Sequence, residues 1–129
     1  MAALLNEQVQ TGGVVIRRQD HHVIREVAVG GLEFDGTEAE VLIPLGASVL
    51  LQAILLRIRP GGSSNGNRQH DGEEVGLVTS GELLLTVSGN EDHLKAGDSF
   101  FYKSNEPHGF RNPGPETAMV VWVNTPATV

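Results

Sequence analysis

The stretch Glu73–Asn90, EEVGLVTSGELLLTVSGN, decides the fold class. Val75 to Thr79 and Glu82 to Val87 are short apolar runs separated by Ser80-Gly81 and closed by Ser88-Gly89-Asn90. In an extended chain alternate side chains share a face, so Leu83, Leu85 and Val87 line one side. Serine, glycine and asparagine after such a run signal a hairpin. The reading is strand, turn, strand.

The same grammar extends in both directions. Downstream come Leu94, a turn at Ala96-Gly97-Asp98, a strand at Ser99 to Tyr102, and a turn at Asn105-Glu106-Pro107 leading into His108-Gly109-Phe110. Asn112 to Pro115 turns again, and Ala118 to Val123 forms a last strand. Upstream, Val49 to Ile58 is the longest apolar run; its Pro60-Gly61-Gly62 ending favours a long buried strand over a helix. Val41-Leu42-Ile43 stops at Pro44, Ile24 to Val29 closes on Gly30-Gly31, and Val14 to Ile16 is a short β-branched run. Turn signals recurring at roughly 8–12-residue spacing indicate an all-β sandwich or barrel. Residues 1–13, mildly helical around Leu4 and Leu5, read as an arm, and residues 14–129 as a single barrel domain.

Composition narrows the function. A length of 129 residues suits one domain with one core. Sixteen glycines and six prolines fit short strands joined by turns better than long helices. With no cysteine there is neither a disulfide nor a thiolate site. The formal net charge of -7, without a basic run, repels phosphate backbones, so direct nucleic-acid binding is not expected. No segment reaches the roughly 18 apolar residues of a membrane helix. The start carries no signal-peptide pattern, so the expected location is cytoplasmic.

The five histidines differ in setting. His21-His22 reads as a solvated pair and His93 as part of an exposed hairpin. His70 and His108 each stand at a turn beside a strand that must be buried. In a straight strand His70 and Glu74 would be roughly 13 Å apart. The turn signal Asp71-Gly72 folds them together, and His108 can join from a neighbouring strand. Two imidazoles and a carboxylate make a facial triad suited to Fe(II) and acceptable to Mn, Ni or Zn.

These residues sit in a pattern that resembles the cupin superfamily. Gly62, then Arg68-Gln69-His70, Glu74 and Gly81 keep the spacing of its first motif; Gly97, Lys103-Ser104-Asn105, His108 and Asn112 keep that of its second. Arg68 stands where the first motif has another histidine, while Lys103 and Asn105 replace a proline and a glycine. The resemblance covers roughly residues 45–125 and implies a jelly-roll barrel. A closer likeness, in His70-x-Gly72-Glu73-Glu74, Gly81-Glu82-Leu83, Gly97-Asp98-Ser99-Phe100, Pro107-His108-x-Phe110-x-Asn112 and Val121–Pro126, is to the C-terminal sensor domain of helix-turn-helix/cupin transcriptional regulators. Val14 to Arg18 also resembles the start of that domain. Residues 1–13 are too few for two packed helices, so the chain is expected to be a free-standing homologue or a sensor half.

The resemblance implies a small-molecule effector and a homodimer. Two accounts of Arg68 stay open: beside a three-ligand metal it pairs with an anionic effector, or it pairs with Glu74 in a metal-free structural barrel. Phe101, Phe110 and Trp122 are expected at the barrel mouth, with one of Phe100 and Phe101 facing in and the other out. An enzyme, a non-haem iron oxygenase or isomerase using the same triad, is the alternative to a sensor.

Overall fold

Strand β6 (Glu73–Ser80) shows how these sequences become a sheet. Glu74, Gly76 and Val78 are buried while their neighbours face out, the period of two expected of a strand with one covered face. The computed structural model describes residues 14–29 and 32–127. In these, after a short 3-10 turn at Arg18–Asp20, the chain forms β1 (His22–Arg25), β2 (Ala28–Val29), β3 (Leu32–Glu33), β4 (Asp35–Val41), β5 (Gln52–Ser63), β6, β7 (Glu82–Val87), β8 (Asn90–Lys95), β9 (Ser99–Lys103), β10 (His108–Arg111) and β11 (Ala118–Thr125). The main sheet runs β8-β7-β10-β5-β11-β6-β9, with β4 also paired to β5 and β1 to β4; β2 and β3 form a separate hairpin. All these pairings are antiparallel. The result is the nearly closed all-β jelly-roll barrel that the sequence indicates.

Register stacks the interior in layers. Gln52, Asn124, Glu74 and Tyr102 lie side by side on β5, β11, β6 and β9. Ile54, Trp122, Gly76 and Phe100 form the next row, and Leu56, Val120 and Val78 the one after. One end of the barrel is therefore polar, the middle aromatic and the far end aliphatic. Leu83, Leu85, Leu94 and Phe110 complete the core from the facing strands.

Several boundaries differ from the sequence reading. Val49, Leu50 and Leu51 do not open the long strand, and Val49 is 80% exposed. The Ser48 hydroxyl accepts from the Leu50 and Leu51 amides, holding a turn, so β5 begins at Gln52. It then continues through Pro60-Gly61-Gly62 instead of stopping there, which carries it from pairing with β11 to pairing with β10. Ile24 to Val29 is interrupted at Glu26, whose φ is 56°. Val14 to Ile16 is exposed and forms no strand. Conversely, the polar run Asp35–Val41 is a strand: Thr37, Ala39 and Val41 face in, while on the other face Glu38 pairs with Arg25 and Glu40, itself buried, with Arg57. The arm proposed for residues 1–13 lies outside the described residues. Asn112, read as a turn former, is buried and ties the turn to the barrel: its Nδ2 donates to the Ile58 and Glu116 carbonyls, and its Oδ1 accepts from the Gly114 amide.

Candidate metal centre and ligand cavity

Gly72 makes the site. Its φ of 114° suits glycine, and a Cβ there would lie 1.9 Å from the Thr125 carbonyl oxygen. The turn is pinned where the His70 amide donates to the Ser104 carbonyl and the Ser104 amide to the Gly72 carbonyl. On the other side, reciprocal backbone hydrogen bonds of 2.8 and 2.9 Å between Arg68 and His108 bring β10 alongside. His70, Glu74 and His108 converge as the sequence suggested, with one donor atom of each within 4.8 Å of the others.

Their hydrogen bonds fix their chemistry. His108 Nδ1 lies 2.8 Å from the Glu106 carbonyl oxygen and His70 Nδ1 lies 3.1 Å from that of Asp71. A carbonyl only accepts, so each Nδ1 donates and each Nε2 is turned toward the carboxylate, free to act as a ligand whenever its ring has shed the second proton. Those Nε2 atoms sit 3.2 and 3.1 Å from Glu74 Oε2. The opposite carboxylate oxygen, Oε1, accepts from the Tyr102 hydroxyl at 2.7 Å and the Trp122 indole N–H at 2.8 Å. Oε2 itself is buried and, despite the two close nitrogens, has no partner in hydrogen-bonding geometry. Two ring nitrogens and a carboxylate oxygen thus face one point, which a proton bridges in the metal-free protein and a cation can take over. Octahedral coordination at 2.0–2.2 Å puts adjacent donors about 3 Å apart, close to both separations. The residues fit a divalent metal.

Electrostatics agrees. Burial pushes the Glu74 carboxyl up, but the contacts from His108 and Tyr102 outweigh it and hold the group at about 2. Burial also opposes a charged His108, yet the Glu74 carboxylate and the Glu106 carbonyl raise it above its ordinary 6.5. Tyr102 is pushed up, by burial first and Glu74 second, so its phenol remains a donor.

The triad opens into a cavity of about 60 Å³ walled by Phe34, Ile54, Phe110 and Trp122. It has room for a compact ligand. Phe110 and Trp122 line this cavity, 5.3 Å apart. Phe101 does not: it is 62% exposed on the outer face, and Phe100 points inward instead. The reason is local, since the Phe100 ring occupies the space that a side chain on Gly76 would need. Arg68 lines the cavity with its guanidinium 4.5 Å over Phe34, donating to the Ser64 carbonyl. The described partners of Glu74 are the two histidines, Tyr102 and Trp122, while Arg68 is described against Ser64 and Phe34. Tyr102, Phe34 and Gln52 are site residues that sequence reasoning missed; for Tyr102 the signal was its position two residues from Phe100. His21 is not a solvated residue, its Nδ1 lying 2.5 Å from Glu40, whereas His93 is exposed and contacts Glu82.

These shifts set the pH behaviour of the metal-free protein. A carboxyl lowered from 4.5 to about 2 contributes stability above pH 4.5 that is lost as pH falls toward 2. A histidine raised above 6.5 contributes fully below 6.5 and loses that contribution as pH rises through its folded value. Thermal unfolding with chelator is expected to show maximal Tm between pH 4.5 and 6.5. Because a ligand imidazole must be neutral, saturating Ni(II) should remove the alkaline fall. A chelated protein whose Tm stays flat from pH 6 to 9 would contradict the charge assignment.

Comparison with known proteins follows the same lines. Residues 54–124 match the cupin domain family. Residues of this chain are 35% identical over 78 positions to the HTH-type transcriptional regulator PuuR of Escherichia coli K12; the match covers 60% of this chain but 42% of that protein, well under two thirds of its length. The cupin domain of an XRE family transcriptional regulator from Enterobacter cloacae superposes with a TM-score of 0.61 at 18% identity, over 69% of this chain and 95% of that one. The polyketide cyclase RemF from Streptomyces resistomycificus gives 0.68 at 23% identity, over 88% and 80%. At such identities the two structures show the fold, and both regulators and enzymes share it. No helix among the described residues is long and apolar enough to cross a membrane. With the fold, the site and the family match in agreement, this chain belongs to the cupin family and is related to the sensor domains of regulators.

Proposed function

We propose that this cupin domain is a cytoplasmic ligand-sensing module, occupying residues 14–129, that binds a small anionic effector over one divalent metal held by His70, Glu74 and His108. The observation that carries this reading is Glu74 Oε2, buried between the Nε2 atoms of two imidazoles at the floor of an apolar cavity. The two-nitrogen, one-oxygen set suits Fe(II), Mn, Ni or Zn, and bound there the metal supplies open positions to an anionic oxygen. Tyr102 and Trp122 hold the carboxylate in place, as outer hydrogen bonds orient metal ligands. Arg68 supplies the cation at the mouth that favours a carboxylate. Apart from Ser64, the rest of the described cavity wall is apolar or amide, a lining that suits holding a ligand. The likeness to a transcriptional regulator is what supports a sensor over an oxygenase or isomerase using the same triad.

The test is metal content by elemental mass spectrometry after incubation with each of the four ions. About one ion per chain is expected. His108→Ala should weaken metal affinity at least 100-fold, while Arg68→Leu should keep the metal and weaken carboxylate binding about 10- to 100-fold. Turnover of a bound acid by the Fe(II) form in air would favour the enzyme, and wild-type protein left empty by all four ions would overturn the metal reading.

We place the homodimer contact on the outer face where Phe101, Val75 and Val123 lie side by side, with Leu77 and Val121 in the next row. Phe101, Val75 and Leu77 are exposed there, a contiguous apolar surface of the kind a partner covers. Sedimentation velocity should show a dimer that Phe101→Arg converts to monomer; a wild-type monomer at tens of micromolar would remove this contact.

A further inference from the structure

Four buried side-chain polar atoms among the described residues lack a hydrogen-bond partner: Thr37 Oγ1, Gln52 Nε2, Glu74 Oε2 and Ser104 Oγ. Glu74 Oε2 belongs to the metal centre. The two hydroxyls can rotate their protons and do not line the cavity. Gln52 differs on both counts. It lines the same cavity as Arg68 and the triad, is 5% exposed, and holds its two amide hydrogens in a fixed plane. A buried donor with nothing to accept from it is unfavourable unless a ligand completes it. Its neighbours along the inner face, Ile54 and Leu56, are hydrocarbon.

From this we infer that Gln52 is a specificity residue for the effector, which carries, besides its carboxylate, an uncharged acceptor oxygen such as a ketone. The inference rests on the sensing function proposed above and adds the second recognition point. The acceptor is uncharged because a second carboxylate at Gln52 would be buried on a neutral amide; the cationic side chain of the cavity, Arg68, is held beside Phe34 and Ser64. Spacing limits its length. Gln52 and Glu74 stand at one level of the sheet, separated by Asn124 on β11, so their backbones are about 10 Å apart. Both side chains point inward from that span, and the cavity is small. The carboxylate and the acceptor are therefore joined by a short chain of about two or three carbons.

Calorimetric titration of the Ni(II)-loaded protein with three acids tests this: pentanoate, 4-oxopentanoate and pentanedioate. The first two differ by a single ketone oxygen. Wild-type protein should bind 4-oxopentanoate at least tenfold more tightly than pentanoate, because a site with a buried donor discriminates against the analogue lacking its acceptor. Pentanedioate should bind less tightly than 4-oxopentanoate. In Gln52→Leu, with its fold checked by circular dichroism, the ratio between the ketone and pentanoate should collapse to about one; in Gln52→Glu the preference should reverse. Equal binding of the two acids by wild type, tighter binding of pentanedioate, or no binding of any of the three by metal-loaded protein would overturn the inference. The wild-type comparison alone decides it if a variant fails to fold. Failure of the sensing function itself reads differently: no nickel is taken up, or Arg68→Leu leaves pentanoate binding unchanged.

Discussion

A carboxylate taken out of water inside a β-barrel is costly unless its oxygens are matched, and everything at the polar end of this barrel is arranged around matching Glu74. Tyr102 and Trp122 both donate to Oε1. Hydrogen bonds to a charged acceptor are worth about 1.5–3 kcal/mol each, enough to offset much of the desolvation. The donors come from β9 and β11, which flank β6, so the clamp also locks three strands in register. With Oε1 saturated, Oε2 is left for the two histidines.

That asymmetry turns a structural carboxylate into a ligand. Because each Nδ1 proton is committed to a backbone carbonyl at the turns before β6 and β10, the Nε2 atoms meet the carboxylate, and a metal can displace the one proton that closes the pair. The site is pre-formed on rigid strands, while the group that recognises charge, Arg68, sits outside the named strands and is steadied by the Phe34 ring.

Much of this was legible in the sequence. The triad followed from the turn between His70 and Glu74 and from two spaced motifs, and β7 followed residue for residue from its alternation. Strand β4 did not, because its outer half is polar: Glu38 and Glu40 look like loop residues until Arg25 and Arg57 on the neighbouring strands are seen to pair with them. The choice between Phe100 and Phe101 is a question of parity that the local sequence leaves open. The Tyr102 hydroxyl reaching Glu74 and the Phe100 ring lying over Gly76 settle it. Gln52 was invisible for a related reason. Its nearness to Glu74 depends on β11 lying between β5 and β6, a pairing between segments distant in the chain.

The most direct test of this account is anomalous diffraction from crystals grown with Zn(II) or Ni(II). The account predicts one strong peak per chain, about 2.1 Å from His70 Nε2, Glu74 Oε2 and His108 Nε2, with the Tyr102 and Trp122 hydrogen bonds to Oε1 intact. Metal only at His22 or His93 on the surface, with no peak between His70, Glu74 and His108, would contradict it.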